Sequence, residues 1–143
     1  LMSQLAFERM MLAVPAAATI DRALELSVAH AKDRKMFGGK LFDLQNTRFK
    51  LAEVATTAHV VRSFVNDCTQ RLVDGILDPQ AAYMAKWWCT DQQCKVVDEC
   101  LQLFGGYGYM SEYPIARLYV DSRVQRIYGG ANEVMKDLIA RTL

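Results

Sequence analysis

The sequence predicts an all-α fold, an antiparallel helical bundle in which three long helices are followed by shorter ones. Apolar residues recur at steps of three, four and seven along most of the 143 residues, which is the spacing of one helix face. No segment alternates with a period of two for long enough to propose a sheet. Glycine and proline concentrate between the periodic segments, where they end and begin helices. We therefore expect one helical domain over residues 1–143.

The first helix is expected to cover residues 1–34. Ala, Leu and Met dominate this stretch, and they are good helix formers. Pro15 is expected to kink the helix or to leave a hydrogen bond unmade near Met11. Gly38 and Gly39 then mark its end. Because the sequence begins with Leu1 already inside the helical pattern, we expect a fragment of a longer protein.

A second helix is expected over about residues 43–74 and a third over about residues 79–104. Asp78 is expected to cap the third helix, with Pro79 in its first turn. Each of these helices carries an apolar seam suited to packing along another helix. The seams are Leu44, Leu51, Val54, Ala58, Val61, Val65, Cys68 and Leu72 on the second helix, and Tyr83, Trp87, Thr90, Cys94, Val97, Leu101 and Phe104 on the third.

A glycine turn, Gln102-Leu-Phe-Gly-Gly-Tyr-Gly-Tyr109, follows the third helix. No Gly-Lys-Ser/Thr follows it and no strand precedes it, so it is neither a P-loop nor a dinucleotide fingerprint. Glycine lets a ligand approach the main chain closely, which makes the turn a candidate binding feature. Pro114 then begins a fourth helical piece that continues to about residue 126. A second break at Tyr128-Gly-Gly130 precedes a last helix over residues 131–143.

Composition excludes several classes of function. The formal net charge is +1 and the Lys and Arg residues are dispersed, so we expect no nucleic-acid partner. No apolar run approaches the roughly 18 residues that a membrane span needs. The four cysteines, which lack Cys-x-x-Cys spacing, are expected to be buried free thiols rather than a zinc site. Without a Glu-x-x-His pair, a di-iron bundle is not indicated either.

Taken one at a time, the polar residues have two interpretations. Glu8 lies among apolar residues, where a carboxylate gains a raised pKa suited to a general base, but it also fits a solvated face beside Arg9. Arg34 near a helix C-terminus complements the helix dipole, and Gln45 and Gln102 fit solvated positions.

Several ordered motifs together resemble the C-terminal helical domain of the acyl-CoA dehydrogenase family, and the Tyr-Gly-Gly-Ala-Asn-Glu motif is most similar to that of the long-chain type. The resemblance covers essentially the whole chain. It implies that an N-terminal helical domain and a middle β-domain are missing from these residues, so the fragment alone is expected to be inactive and to retain little FAD. The motifs are Asp33-Arg-Lys-Met-Phe-Gly38 with Gln45, Lys50-Leu-Ala-Glu53, Gln102 to Tyr109, Glu112-Tyr-Pro114 and Asp121-Ser-Arg-Val-Gln-Arg-Ile-Tyr-Gly-Gly-Ala-Asn-Glu133.

The family oxidises a fatty acyl-CoA to its trans-2-enoyl form, with a glutamate taking the α-proton while hydride leaves Cβ for FAD. Most members carry that glutamate directly after the tyrosine of Ile-Tyr-x-Gly, which here is Gly129. A minority carry it in a Glu-Arg pair on the first helix of this domain, and this sequence has Phe7-Glu8-Arg9 there. The resemblance therefore implies Glu8 as the catalytic base, with Arg9 near the CoA end of the substrate. Gly129, through its N–H, and Gly130 are expected to bind substrate.

For FAD, the resemblance implies Arg34, Phe37 and Gln45, which in the family reach a cofactor held mainly by a neighbouring subunit. It also implies Gln102, Gly105 and Gly106 on the adenosine side, and Glu133. Ala131 stands where the family usually has threonine. The implied partners are an acyl-CoA, an electron-transfer flavoprotein and further copies of the chain in a homodimer or homotetramer. The implied location is the bacterial cytoplasm or the mitochondrial matrix.

Two alternatives remain open from sequence. An acyl-CoA oxidase would pass the electrons directly to oxygen, and no residue here separates it from a dehydrogenase. A non-catalytic helical oligomerisation module would explain the apolar seams, but such a module has no need for Glu8, Arg34 and Gln45 together.

Overall fold

A computed structural model describes residues 2–143 and confirms the all-α bundle. Its helices are α1 (Met2–Asp33), α2 (Gln45–Val73), α3 (Pro79–Phe104), α4 (Pro114–Arg123) and α5 (Asn132–Ala140). Short 3-10 turns cover Leu41–Asp43, Gly105–Tyr109 and Val124–Arg126. Leu1, expected to be helical, lies outside the described residues.

Pro15 lies inside α1, which continues through it to Asp33. Proline has no N–H, so the carbonyl of Met11 lacks its usual helical donor, and the helix tolerates this without ending. The expected cap of α3 is confirmed. The Asp78 carboxylate accepts a 3.0 Å hydrogen bond from the N–H of Gln80, and Pro79 is the first helical residue.

The expectation of no sheet is wrong at one place. Lys35–Met36 and Gly39–Lys40 form a two-stranded antiparallel hairpin between α1 and α2. Strands of two residues are too short to produce a period-two pattern in the sequence. The tight turn is made by Phe37 and Gly38, whose φ angles of 49° and 79° match the left-handed pair that a two-residue hairpin loop requires.

The three long helices pack on one another, and α3 also contacts α4 and α5. The expected seam of α2 is confirmed from Leu51 to Cys68, while Leu44 is exposed and Leu72 only half-buried. The expected seam of α3 is partly wrong, because Tyr83, Trp87, Cys94 and Leu101 are only half-buried. Since four helices surround α3, its buried surface is wider than the expected seam and includes small and polar residues. It comprises Ala82, Ala85, Lys86, Cys89, Thr90, Gln93, Val96, Val97, Cys100 and Phe104.

All four cysteines are free thiols; Cys68, Cys89 and Cys100 are buried, and Cys94 is half-buried. Burial raises the pKa of the Cys89 thiol to about 12, so it stays protonated at neutral pH. None of the helices over residues 2–143 is long and apolar enough to cross a membrane.

Candidate functional site

The first group of predicted site residues lies where the start of α1 meets the loop before α5. We call Glu8, Arg9, Gly129 and Gly130 the loop site. A Cβ on Gly130 would lie 3.5 Å from Nη2 of Arg9, and a Cβ on Gly129 would collide with Cδ1 of Leu12. The loop therefore packs directly on the face of α1 that carries Arg9 and Leu12.

Backbone geometry explains the two consecutive glycines of this loop. Gly129 and Gly130 have φ angles of 63° and 89°, which residues with a Cβ adopt only with strain. Gly129 is exposed. Among the hydrogen bonds of the described residues, none has the N–H of Gly129 as its donor, so this N–H is available to a ligand.

Glu8 and Arg9 form an ion pair on the surface of α1. Oε2 of Glu8 lies 3.3 Å from Nη1 of Arg9, and the two side chains are 61% and 11% exposed. The apolar neighbours Phe7 and Met11 are also exposed, at 53% and 56%. Within this chain Glu8 is therefore solvated, beside an apolar surface that the described residues leave uncovered.

The structure also reveals a buried polar network that sequence reasoning missed. Nζ of Lys86, which is 0% exposed, donates to the carbonyl of Gly130 at 2.7 Å and to Oδ1 of Asn132 at 2.8 Å. The amide of Asn132 donates to the carbonyl of Trp87 and to the hydroxyl of Thr90, both at 3.1 Å. The only sequence signal was that Lys86 shares a helix face with small apolar residues, and a lysine there usually extends to solvent.

The Lys86 pKa is lowered to about 8, first by burial and second by the positive charge of Arg9, with the carboxylate of Glu133 opposing the shift. Between about pH 8 and the ordinary value of 10.5, the unfolded chain binds more protons at this residue than the folded chain. The contribution of Lys86 to the free energy of unfolding should therefore rise with pH through this range. Urea unfolding of the protein and of its Lys86→Met variant should show that the parent gains free energy of unfolding relative to the variant as the pH rises. If the difference in free energy of unfolding between the two proteins stayed constant with pH, the lowered pKa of Lys86 would be contradicted.

The second group lies at the other end of α1. A cleft of about 710 Å³, which we call the turn cleft, brings together Arg34, Gln102, Gly105 and Gly106. Its other lining residues are His30, Met36, Leu41, Leu44, Asn46, Thr47, Leu103, Phe104, Tyr107 and Met110.

Stacked rings form one wall of the turn cleft. The guanidinium of Arg34 lies over the Tyr107 ring, 5.1 Å from its centroid. Tyr107 in turn stacks on Tyr113, and His30 stacks on Phe104 with centroids 4.1 Å apart. A cation that rests on an aromatic face is held in place, so the donors of Arg34 are presented at the cleft from a fixed platform.

The remaining predicted cofactor residues are not among the lining residues of the turn cleft. Phe37, at the hairpin tip, is 88% exposed. Gln45 is the exposed first residue of α2, between Leu44 and Asn46 of the cleft wall. Glu133 lies instead with the loop site, where its charge acts on Lys86.

The three glycines of the Gln102–Tyr109 turn are glycine for different reasons. Gly105 has a φ of 57° and ends α3. A Cβ on Gly108 would lie 2.6 Å from the carbonyl oxygen of Leu101, so close packing excludes a side chain. Gly106 lacks a positive φ, and a Cβ added to it would meet no atom within 4 Å, so nothing in the described chain requires glycine there.

The two groups are far apart in one chain. Glu8 and His30 are 22 residues apart on α1, which at 1.5 Å per residue is about 33 Å. The loop site and the turn cleft of one chain therefore do not form a single compact site.

Comparison with known proteins identifies the family. The family model described as "Acyl-CoA dehydrogenase, C-terminal domain" matches residues 1–143. The chain belongs to the acyl-CoA dehydrogenase family. It is 46% identical over 143 residues to the mitochondrial long-chain specific acyl-CoA dehydrogenase of Mus musculus, covering all of this chain and 33% of that protein. The chain thus spans about a third of the length of the curated relatives it matches.

Solved structures of acyl-CoA dehydrogenases share the fold. The crystal structure of the acyl-CoA dehydrogenase from Geobacillus kaustophilus superposes with a TM-score of 0.96 at 40% identity, over 99% of this chain and 37% of that one. An acyl-CoA dehydrogenase from Bacillus anthracis, described as complexed with FAD, has a TM-score of 0.87 at 27% identity. It is matched over 98% of this chain and 27% of its own. In this acyl-CoA dehydrogenase domain, Ala131 is the N-cap of α5, and its methyl side chain makes no capping hydrogen bond.

Proposed function

We propose that this chain is the C-terminal domain of a longer FAD-dependent acyl-CoA dehydrogenase that converts a fatty acyl-CoA to its trans-2-enoyl form, with Glu8 as the base. One observation carries the proposal. A side chain at position 129 would point at Leu12, which lies one helical turn beyond Glu8 on the same face. A carboxylate at position 8 and a carboxylate at position 129 would therefore face the same part of the loop site.

At the loop site, the Glu8 carboxylate takes the α-proton of the thioester. Arg9, 3.3 Å away, orients this carboxylate. The free N–H of Gly129 donates to the thioester carbonyl oxygen, where negative charge develops as the proton leaves. The exposed side chains of Phe7 and Met11 line the acyl side and exclude water once another domain covers them. FAD, when bound, supplies the hydride acceptor.

The residues of the turn cleft fit a nucleotide cofactor. The guanidinium of Arg34 is a planar set of donors suited to a pyrophosphate, and the amide of Gln102 lies on the same cleft. Gly106 leaves open space where a ligand can approach the main chain. We assign Arg34, Gln102, Gly105 and Gly106 to the adenosine diphosphate half of FAD. Phe37 and Gln45 are assigned to the border of the same cofactor site. Glu133 is assigned to the part of the cofactor site toward the loop site.

Because the two groups are about 33 Å apart in one chain, we propose that the turn cleft completes the FAD site of a neighbouring subunit in a homodimer or homotetramer. This proposal requires a stable oligomer of the full-length enzyme. The relatives suggest a mitochondrial matrix or bacterial cytoplasmic location, and an electron-transfer flavoprotein as the electron acceptor.

The test is turnover by the full-length enzyme with saturated acyl-CoA substrates of several chain lengths. We expect enoyl-CoA to form with reduction of an electron-transfer flavoprotein and little peroxide. Stoichiometric peroxide without that flavoprotein would instead show an acyl-CoA oxidase. A stable oligomer with no flavin absorbance and no turnover would support a purely structural helical module.

A further inference from the structure

The buried amine of Lys86 holds the backbone of the loop site by hydrogen bonds. Its Nζ is bonded to the carbonyl oxygen of Gly130 at 2.7 Å and to Oδ1 of Asn132 at 2.8 Å. Asn132 is itself 1% exposed and is held on α3 by its bonds to Trp87 and Thr90. The carboxyl-terminal side of the loop is thus tied to the central helix of the bundle.

The amino-terminal side of the loop has its own anchor. The N–H of Tyr128 donates to the carbonyl of Val124 at 3.2 Å, within the preceding 3-10 turn. Gly129 lies between this anchor and the bond that Lys86 makes to Gly130. Glycine has the largest backbone freedom of any residue, so without both anchors the N–H of Gly129 would sample many directions.

Stability alone does not account for a lysine at this place. Removing a charged amine completely from water is costly, and apolar residues of similar volume often replace buried ions without loss of stability. The positive charge of Arg9 adds to this cost by acting against the charged form of Lys86. The hydrogen bond to the Gly130 carbonyl is a function that an apolar side chain cannot supply.

We propose that Lys86 is a positioning residue of the dehydrogenase, which together with Asn132 fixes the Gly129–Gly130 backbone so that the Gly129 N–H meets the thioester carbonyl. This inference rests on the proposed function for its catalytic consequence. Its structural part, that Lys86 immobilises the loop, holds independently of any reaction. Lys86 itself touches neither substrate nor cofactor in this role.

The experiment compares three forms of the full-length enzyme: the parent, Lys86→Met and Gln93→Met. Methionine keeps most of the volume of lysine and removes its donors. Gln93 is the matched control, because it is buried on the same helix at 2% exposure and makes no hydrogen bond with the loop among the described residues. Each form is measured for kcat and KM with an acyl-CoA, for flavin content, and for amide hydrogen exchange of the loop peptide, in which the N–H groups of Tyr128 and Met135 are the hydrogen-bonded reporters.

We expect Lys86→Met to lower kcat by roughly tenfold to a hundredfold, since misplacing a catalytic group by about 1 Å can cost up to about a hundredfold, less than removing an oxyanion donor outright. KM should change less than about twofold, because the lost interaction belongs to the transition state. Exchange of the bonded N–H groups of Tyr128 and Met135, on the two sides of the loop, should accelerate by about tenfold or more, the size of a lost hydrogen bond to a charged donor. Gln93→Met should match the parent in all three measurements.

Unchanged exchange at the loop in Lys86→Met would overturn the proposal, and so would faster exchange with an unchanged kcat. An equal loss of kcat in Gln93→Met would assign the effect to general core damage and also overturn it. If Lys86→Met does not fold, Thr90→Val removes one hydrogen bond of Asn132 while leaving the Lys86 amine in place. Loop exchange and kcat of that variant then decide in the same way. A parent enzyme without turnover would count against the proposed function, while the exchange measurement would still decide whether Lys86 holds the loop.

Discussion

Replacing Glu8 with glutamine in the full-length enzyme should lower kcat by about a thousandfold or more while FAD remains bound. General base catalysis contributes about 10² to 10⁴ in rate, and the amide of glutamine cannot accept the α-proton. Glutamine keeps the size of the side chain, and the position is exposed in this domain, so folding should be unaffected. The measurements are steady-state turnover and the flavin absorbance of the purified variant.

The matched control for this variant is Glu25→Gln. Glu25 is an exposed glutamate on the same helix, paired with Arg22 at 2.6 Å, much as Glu8 is paired with Arg9. It lies 17 residues further along α1, about 25 Å from Glu8. We expect turnover within about twofold of the parent, because the change removes only a surface ion pair. If Glu8→Gln also retained turnover, Glu8 would have no part in the mechanism.

Alanine at two glycines of the same turn should have opposite consequences. In Gly108→Ala, the new Cβ would lie 2.6 Å from the backbone oxygen of Leu101 and 3.0 Å from its Cγ. A backbone atom cannot move aside cheaply, and overpacking of this kind costs about 1–3 kcal/mol. We expect a loss of about 2–3 kcal/mol in the free energy of unfolding, measured by urea denaturation. Unchanged stability would show that the turn relaxes more easily than its packing indicates.

In Gly106→Ala, by contrast, the new methyl group meets no atom of the described chain. We expect stability within about 0.5 kcal/mol of the parent, as for substitutions away from packed features. FAD affinity of the full-length enzyme should fall about tenfold or more, because the methyl group enters the space assigned to the cofactor, and tenfold corresponds to only about 1.4 kcal/mol. Parent-like FAD affinity would remove Gly106 from the cofactor site.

Local signals in the sequence predicted the parts of the fold that depend on local physics. The cap of α3 follows from Asp78 and Pro79, whose effects act within one turn of helix. The α2 seam follows from a strict apolar period, and its central residues are buried as expected. The hairpin was missed because its turn depends on a positive φ at Phe37, which a bulky residue rarely adopts.

The candidate site was harder to predict because its features depend on distant contacts. Lys86 and Asn132 are 46 residues apart in the sequence, and neither carries a motif that suggests a shared network. The surroundings of Glu8 depend on apolar neighbours that are exposed in this domain, so a periodic pattern could not show whether the carboxylate is enclosed. The distance between the loop site and the turn cleft, however, follows directly from the length of α1.

We propose that the loop site and the turn cleft serve one reaction because each completes the active site of a different subunit. The most direct measurement is turnover of hybrid oligomers assembled from Glu8→Gln and Arg34→Met subunits, each inactive alone. If the base and the turn cleft come from different subunits, half of the sites in a hybrid dimer have both native residues, and activity returns on mixing. If both come from the same subunit, every site keeps one defect. Mixed oligomers that form but stay inactive would therefore contradict the claim.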